Sequence, residues 1–191
     1  MGRLIYALGM SLDGYVVDTA GRFDWSTPDE EAHRLANEEA RDTAALLFGR
    51  RMFETMEGFW PQARDDDSLP DYLREYGEIW TSMPKVLVSR TRTHADHNTQ
   101  VVHADDAVGA LAELRARTDG DLGVGGATLA TALLRAGLLD ELLLFTHPVI
   151  LGTGRPLFDG HDEPLQLDLL EQARYDEGVT MHRYAVRNVR P

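Results

Sequence analysis

At 191 residues and 43% hydrophobic content, the chain is long enough for one domain with a sizeable core and too apolar to be disordered. Its formal net charge of −13 argues against a nucleic-acid or membrane-surface partner, because phosphate backbones reward clustered cations. It has no cysteine, which excludes disulfides, thiol catalysis and cysteine-based metal sites.

The opening stretch MGRLIYALGMSLDGY lacks the charged and apolar regions of a secretory leader. Tyr6 stands where a myristoylation motif needs Ser or Thr. No apolar run approaches the ~20 residues of a spanning helix, so the expected location is the cytoplasm. Arg3–Met10 reads as a buried strand, Asp13-Gly14 as a turn and Val16-Val17 as a short extended piece. Thr27, Pro28 and the acids Asp29, Glu30 and Glu31 predict a helix start, with the helix running to about Thr43. Ala44–Phe48 predicts a strand, followed after Gly49 by a short helix. The stretch from Trp60 to Tyr72 reads as a polar loop, and Pro70–Trp80 as a short helix. KVLVS after Pro84 and TQVVHA are strands. Asp105 is placed to cap a helix through about Arg117. DLGVGG is a strand entering glycines, and Ala127–Ala136 a helix stopped by Gly137. LDELLLFTHPVI is a long buried strand, and LGTGRPLFDGHDEP a loop. Leu165–Leu170 and Val179–Val186 pair as a hairpin around Glu177-Gly178. Strands alternating with helices predict a mostly parallel sheet with helices on both faces and an antiparallel edge, in one domain over residues 1–191.

Ligands of open α/β sheets bind beyond the carboxyl ends of the strands, and four such ends carry unusual residues. GVGGATL (Gly123–Leu129) joins a strand to a helix through glycines, which let backbone N–H groups approach an anion; the plain alternative is a tight turn. Gly49, Arg50, Arg51 and Met52 repeat that grammar with two cations, which oppose the helix dipole unless an anion sits between them or nearby Glu54 and Glu57 pair with them. Ser89 and Arg90 end another strand with a hydroxyl and a guanidinium, a pair suited to phosphate. Ser11–Gly14 is the fourth. His94 and His97 lie in a polar loop with no third ligand evident, so no metal site is expected. Walker A, H-E-x-x-H and G-x-S-x-G motifs do not occur.

The ordered series MSLDGY, LFGRRMFE, VLVSR, GVGGATLATALL and LFTHPVILGTGRPLF resembles the dihydrofolate reductase-like superfamily. Within it, the chain is most similar to stand-alone proteins related to the reductase domain of bifunctional riboflavin-biosynthesis enzymes. The resemblance implies a three-layer α/β fold, an eight- or nine-stranded central sheet and an NADPH-dependent reductase. It implies that Gly49, Arg50, Arg51 and Met52 sit over the cofactor phosphates and that Ser89 and Arg90 meet the adenosine 2′-phosphate. Gly125, Gly126, Ala127, Thr128 and Leu129 would form the pyrophosphate loop. Leu12, Asp13 and Gly14 would cover the nicotinamide, and Thr146 would lie beside the bound heterocycle. For the proton donor, counting from Trp25 and Pro28 gives Glu30, and counting back from GRRM gives His33. Arg155 is the one candidate for a basic group in the substrate cleft. The expected activity is hydride transfer to a pterin-like, pyrimidine-like or other small C=N or C=O substrate by a homodimer. The alternative is an NADP(H)-binding protein of the same fold without turnover.

Overall fold

A computed structural model describes residues 2–187. In chain order the elements are β1 (Leu4–Ser11), β2 (Tyr15–Val17), α1 (Glu30–Asp42), β3 (Thr43–Gly49), α2 (Arg50–Arg64), α3 (Asp71–Ser82), β4 (Lys85–Ser89), β5 (Thr99–His103), α4 (Ala107–Arg117), β6 (Asp121–Gly125), α5 (Ala127–Arg135), β7 (Glu141–His147), β8 (Arg155–Pro156), β9 (Leu167–Arg174) and β10 (Thr180–Val186). Eight strands form one sheet in the order β5-β4-β3-β6-β1-β7-β10-β9, and β2 pairs with β8 in a separate ribbon. The six strands from β5 to β7 are parallel, and β10 is antiparallel to both β7 and β9. The mostly parallel sheet with an antiparallel C-terminal hairpin is the architecture that the strand–helix alternation predicts.

Side-chain alternation makes the two faces of this sheet different. Leu4, Tyr6, Leu47, Leu122, Val124, Leu142 and Leu144 face α4 and α5 and close a core with Leu111, Leu129 and Leu133. On the opposite face, Phe48 and Leu87 pack under α2 and α3 with Phe53 and Trp80. Burying side chains as large as Phe53 and Trp80 completely contributes about 1.5–3 kcal/mol each. Between this cluster and a third one (Ile5, Leu143 and Met181), the same face carries Ala7, Gly9, Gly123 and Gly125. Small residues on two successive inward positions of each of β1 and β6 leave a hollow there, and α1 roofs it.

Several local expectations shift. Asp29 rather than Thr27 caps α1, accepting from the Ala32 N–H at 2.8 Å. The helix after Gly49 is not short: it runs for 15 residues through Pro61. Trp60 and Ala63, expected in a loop, continue its apolar face against α3, so packing outweighs the breaker. Asp105 lies in a 3₁₀ turn (Ala104–Asp106) ahead of α4 rather than capping it. Part of the expected loop after β7 is β8, paired with β2. The terminal hairpin pairs Leu167–Arg174, not Leu165–Leu170, with β10.

Candidate functional site

Strand register assembles one rim from three separate stretches of sequence. Gly49 at the end of β3 pairs with Val88 of β4, and Phe48 pairs with Gly125 of β6. Ser89, Gly49 and Gly125-Gly126 therefore lie side by side at the carboxyl ends of adjacent strands. The helices that leave this rim differ from α1. Asp29 caps α1, and Glu30 and Glu31 fill its first turn, whereas α2 starts on Gly49 and α5 on Gly126 with no side-chain cap and no acid in the first turn. Their first N–H groups are thus left for another acceptor. Gly126 has φ +104°, a region that other residues rarely adopt, and a Cβ there would come 3.4 Å from Cβ of Met52. The two helix starts approach this closely because neither glycine carries a side chain.

Cations surround the rim in different states. Arg50 donates to Glu54 at 3.0 and 3.1 Å, as one of the sequence alternatives had it. Arg51 is exposed and forms no ion pair among the described residues. Arg90 is exposed, with its nearest carboxylate, Asp105, at 3.9 Å. Arg92 is committed to Glu57 and lies over the Phe53 ring. Ser89 Oγ accepts from the N–H groups of Thr91 and Arg92, which shapes the turn after β4 and leaves its hydroxyl proton available. Arg155, considered above for the substrate cleft, instead reaches Thr128 Oγ1 at 3.5 Å, at the start of α5.

Below the rim, the hollow in the sheet is a cavity of about 290 Å³. Ala7, Gly9, Gly125, Phe145 and His147 form its floor, Asp29, Ala32 and Ala36 its roof, and Met52 part of its wall. Gly125 and Met52 thus belong both to the cavity and to the rim. The glycines of β6 are required by close approach, since a Cβ on Gly125 would lie 2.5 Å from the Phe48 ring and one on Gly123 2.6 Å from Leu46.

The two sequence candidates for the acid lie outside this cavity. Glu30 is exposed and pairs with Arg34, which also binds Asp71. His33 is buried among the rings of Trp60, Tyr72 and Tyr76, with centroids 5.2–5.7 Å away. Its Nδ1 is 3.2 Å from Asn37 Oδ1, and Asn37 Nδ2 donates to Tyr72 O and Glu75, so the network assigns the proton to Nδ1. Burial pushes this imidazole below its ordinary value, partly offset by the Asn37 hydrogen bond. The unfolded chain then binds more protons than the folded one as pH falls below about 6.5. Stability should fall as pH drops through that value, and His33→Phe should flatten the dependence; denaturant melts between pH 5 and 8 check it.

Thr146 is half-buried and alternates with the cavity-facing Phe145 and His147, so it does not line the hollow. Asp13 has a holding role. It accepts from Ser11 Oγ at 2.7 Å and from the N–H groups of Leu151 and Gly152 at 3.1 and 2.7 Å. Those bonds, Ser11 first, hold its carboxyl below the usual range. Leu12 stands exposed beside it, and Leu12 N–H donates to Val149 O at 2.8 Å. Gly14 O accepts from Leu157 N–H, so the Leu12–Gly14 turn is tied to the segment after β7 at three points.

Two cavity groups escaped the sequence reading. Asp29 is the carboxylate at the head of α1 that faces inward. His147 is 6% exposed, lines the cavity and meets the Trp25 ring edge-on at 6.0 Å. Burial pushes its imidazole below the ordinary value, partly countered by the Glu177 carboxylate. The available signal was the alternation Leu143, Phe145, His147 on a strand whose other face carries Leu142, Leu144 and Thr146. His94, 3.2 Å from Asp96, stays on an exposed loop, and no cluster of three or more metal-ligating side chains occurs among the described residues. No helix among them is long and apolar enough to cross a membrane.

The sequence matches the RibD C-terminal domain over residues 3–181. The chain belongs to the RibD C-terminal domain family. Its similarity to uncharacterized protein YyaP of Bacillus subtilis (strain 168) is 29% identity over 183 residues, covering 95% of this chain and 94% of that one. Among solved structures, this RibD-family chain is similar to a putative riboflavin biosynthesis protein from Shewanella sp. PV-4, with TM-score 0.75, 24% identity and coverage of 97% and 99%. It matches the deaminase/5-amino-6-(5-phosphoribosylamino)uracil reductase of Thermotoga maritima with TM-score 0.67 and 17% identity, over 97% of this chain and 56% of that one. Dihydrofolate reductase from Enterococcus faecalis, complexed with NADP(H), superposes with TM-score 0.62 and 15% identity over 97% of both chains. The fold is therefore that of the dihydrofolate reductase-like reductases, as the ordered motifs implied.

Proposed function

We propose that the protein is an NADPH-dependent reductase that transfers hydride to a small planar C=N or C=O substrate held in the cavity under α1. The observation that carries this reading is the sharing of Gly125 and Met52 between cavity and rim, so that a ligand with its phosphates at the helix starts borders the cavity directly. The residues suit a dinucleotide phosphate: two helix starts meet on glycine, uncapped by side chains, with Arg51 in no ion pair among the described residues and Arg90 opposed only by Asp105 at 3.9 Å. Gly49 to Met52 and Gly125 to Leu129 would hold the pyrophosphate, and Ser89 and Arg90 the 2′-phosphate.

When bound, NADPH supplies the hydride. The chain's own residues orient, shield and protonate. Asp13 fixes the turn from Leu12 to Gly14 against Leu151 and Gly152, which sets one wall of the nicotinamide side. Leu143 and Phe145 keep water from the cavity floor. Reduction of C=N leaves a nitrogen that needs a proton, and the cavity lining includes groups able to hold one, among them the Asp29 carboxyl and the His147 imidazole. We assign the proton to this pair in place of Glu30 and His33, whose side chains are engaged elsewhere. A cytoplasmic homodimer completes the proposal, with sedimentation as its check. The test of turnover is NADPH consumption with a panel of pterins, pyrimidines and aldehydes. Oxidation dependent on one of them, and reduced by His147→Asn, is the expected result. Tight NADPH binding with no consumption across the panel would instead favour a binding protein without turnover.

A further inference from the structure

Arg90, read above as the grip on the 2′-phosphate, has a carboxylate set against it. Asp105 Oδ1 lies 3.9 Å from Arg90 Nε, and both side chains are largely exposed. Strand register puts them together. Ser89 at the end of β4 pairs with His103 at the end of β5, so Arg90 and the turn after His103 leave the sheet side by side. That turn is the 3₁₀ segment Ala104–Asp106, and His103 Nδ1 caps it by accepting the Asp105 N–H at 3.5 Å. The rim of strand ends therefore runs one strand beyond Ser89, and the side chain it adds against the arginine is an acid.

Folding makes little use of that acid. The sequence places Asp105 to cap α4, yet α4 begins at Ala107 after Asp106, with no side-chain cap. The Asp105 carboxylate accepts no hydrogen bond among the described residues, and its charged contacts are Arg90 at 3.9 Å and the His103 ring at 3.7 Å. An exposed pair at such distances contributes little to stability. Its effect falls instead on whatever Arg90 binds. The two nicotinamide dinucleotides differ only at the adenosine 2′ position, a hydroxyl in NADH and a phosphate of about two negative charges in NADPH. A guanidinium suits the phosphate, whereas a carboxylate suits the hydroxyl, whose proton it accepts. A phosphate drawn to Arg90 is drawn toward Asp105 as well, and like charges repel.

We infer that Asp105 sets the cofactor preference: it weakens NADPH and supports NADH, so that the protein discriminates less between them than Arg90 alone would make it. The acid works as a repulsive element against one ligand, which shapes specificity as directly as an attraction does. This role rests on the reading of Ser89 and Arg90 as the 2′-phosphate seat, and it names the residue that limits the selectivity of that seat.

Calorimetric titration of NADPH and NADH into the purified wild type, Asp105→Asn and Asp106→Asn reads the ratio of the two dissociation constants. Asparagine keeps the size of the side chain and removes its charge. Asp106 lies in the same turn, is exposed and forms no ion pair among the described residues, so its variant changes the net charge equally without touching Arg90. Asp105→Asn should bind NADPH about three- to tenfold tighter and NADH no tighter, raising the preference for NADPH by at least that factor. Asp106→Asn should leave the preference within about twofold of wild type. With both dinucleotides bound, an unchanged preference in Asp105→Asn, or an equal rise in Asp106→Asn, would overturn the assignment and leave the reductase reading standing. Binding of neither dinucleotide to the wild type would overturn both.

Discussion

Replacing Gly126 with valine should weaken NADPH binding about 100-fold or more and lower stability by about 1–3 kcal/mol. The residue sits at φ +104° immediately ahead of α5, so a β-branched side chain is strained there before any contact is counted. Its Cβ would also reach Met52 at 3.4 Å and Gly49 N at 3.7 Å, in the gap where the two helix starts meet. Backbone N–H groups that would grip phosphate are then shielded or turned away, and each such charge-assisted bond is worth on the order of 1.5–3 kcal/mol. Gly126→Ala separates strain from bulk and should lie between wild type and valine. Calorimetric titration and thermal melts read the two effects separately. Binding retained within about a factor of three in the valine variant, once folding is verified, would count against the rim as the phosphate site.

The second large effect concerns charge. Arg90→Ala should cost on the order of 1.5–3 kcal/mol in NADPH affinity and little in NADH affinity. Arg90 is exposed and only loosely opposed by Asp105 at 3.9 Å, so it is available to a 2′-phosphate that NADH lacks. The double arginine resolves in the same way. Arg50 is already neutralised by Glu54, whereas Arg51 has no ion pair among the described residues, so Arg51→Ala should lose more affinity than Arg50→Ala. Equal losses for both cofactors on Arg90→Ala would remove the 2′-phosphate assignment.

The fold was legible because its signals are local. Alternating strands and helices, Gly137 as a stop for α5 and the Glu177-Gly178 turn each act over a few residues, and their order carried the resemblance. The rim was legible for the same reason: glycines and cations at strand ends are visible one strand at a time, and parallel register then brings them together. The cavity depended on tertiary placement. Glu30, at the counted position, turns to solvent because the true cap, Asp29, rotates the first turn of α1. His33 enters an aromatic cage because α2 extends past Pro61 and delivers Trp60 to it. His147 was overlooked beside Thr146, although the one-residue difference decides which face of β7 each occupies. Packing between α1, α2 and α3 fixes these choices, and no short stretch of sequence encodes it.

Cofactor binding is the most direct test of the proposed NADPH-dependent reductase. Titration of the purified protein with NADPH and, in parallel, NADH should give saturable binding of both with NADPH the tighter. No binding of either at millimolar concentration would contradict it.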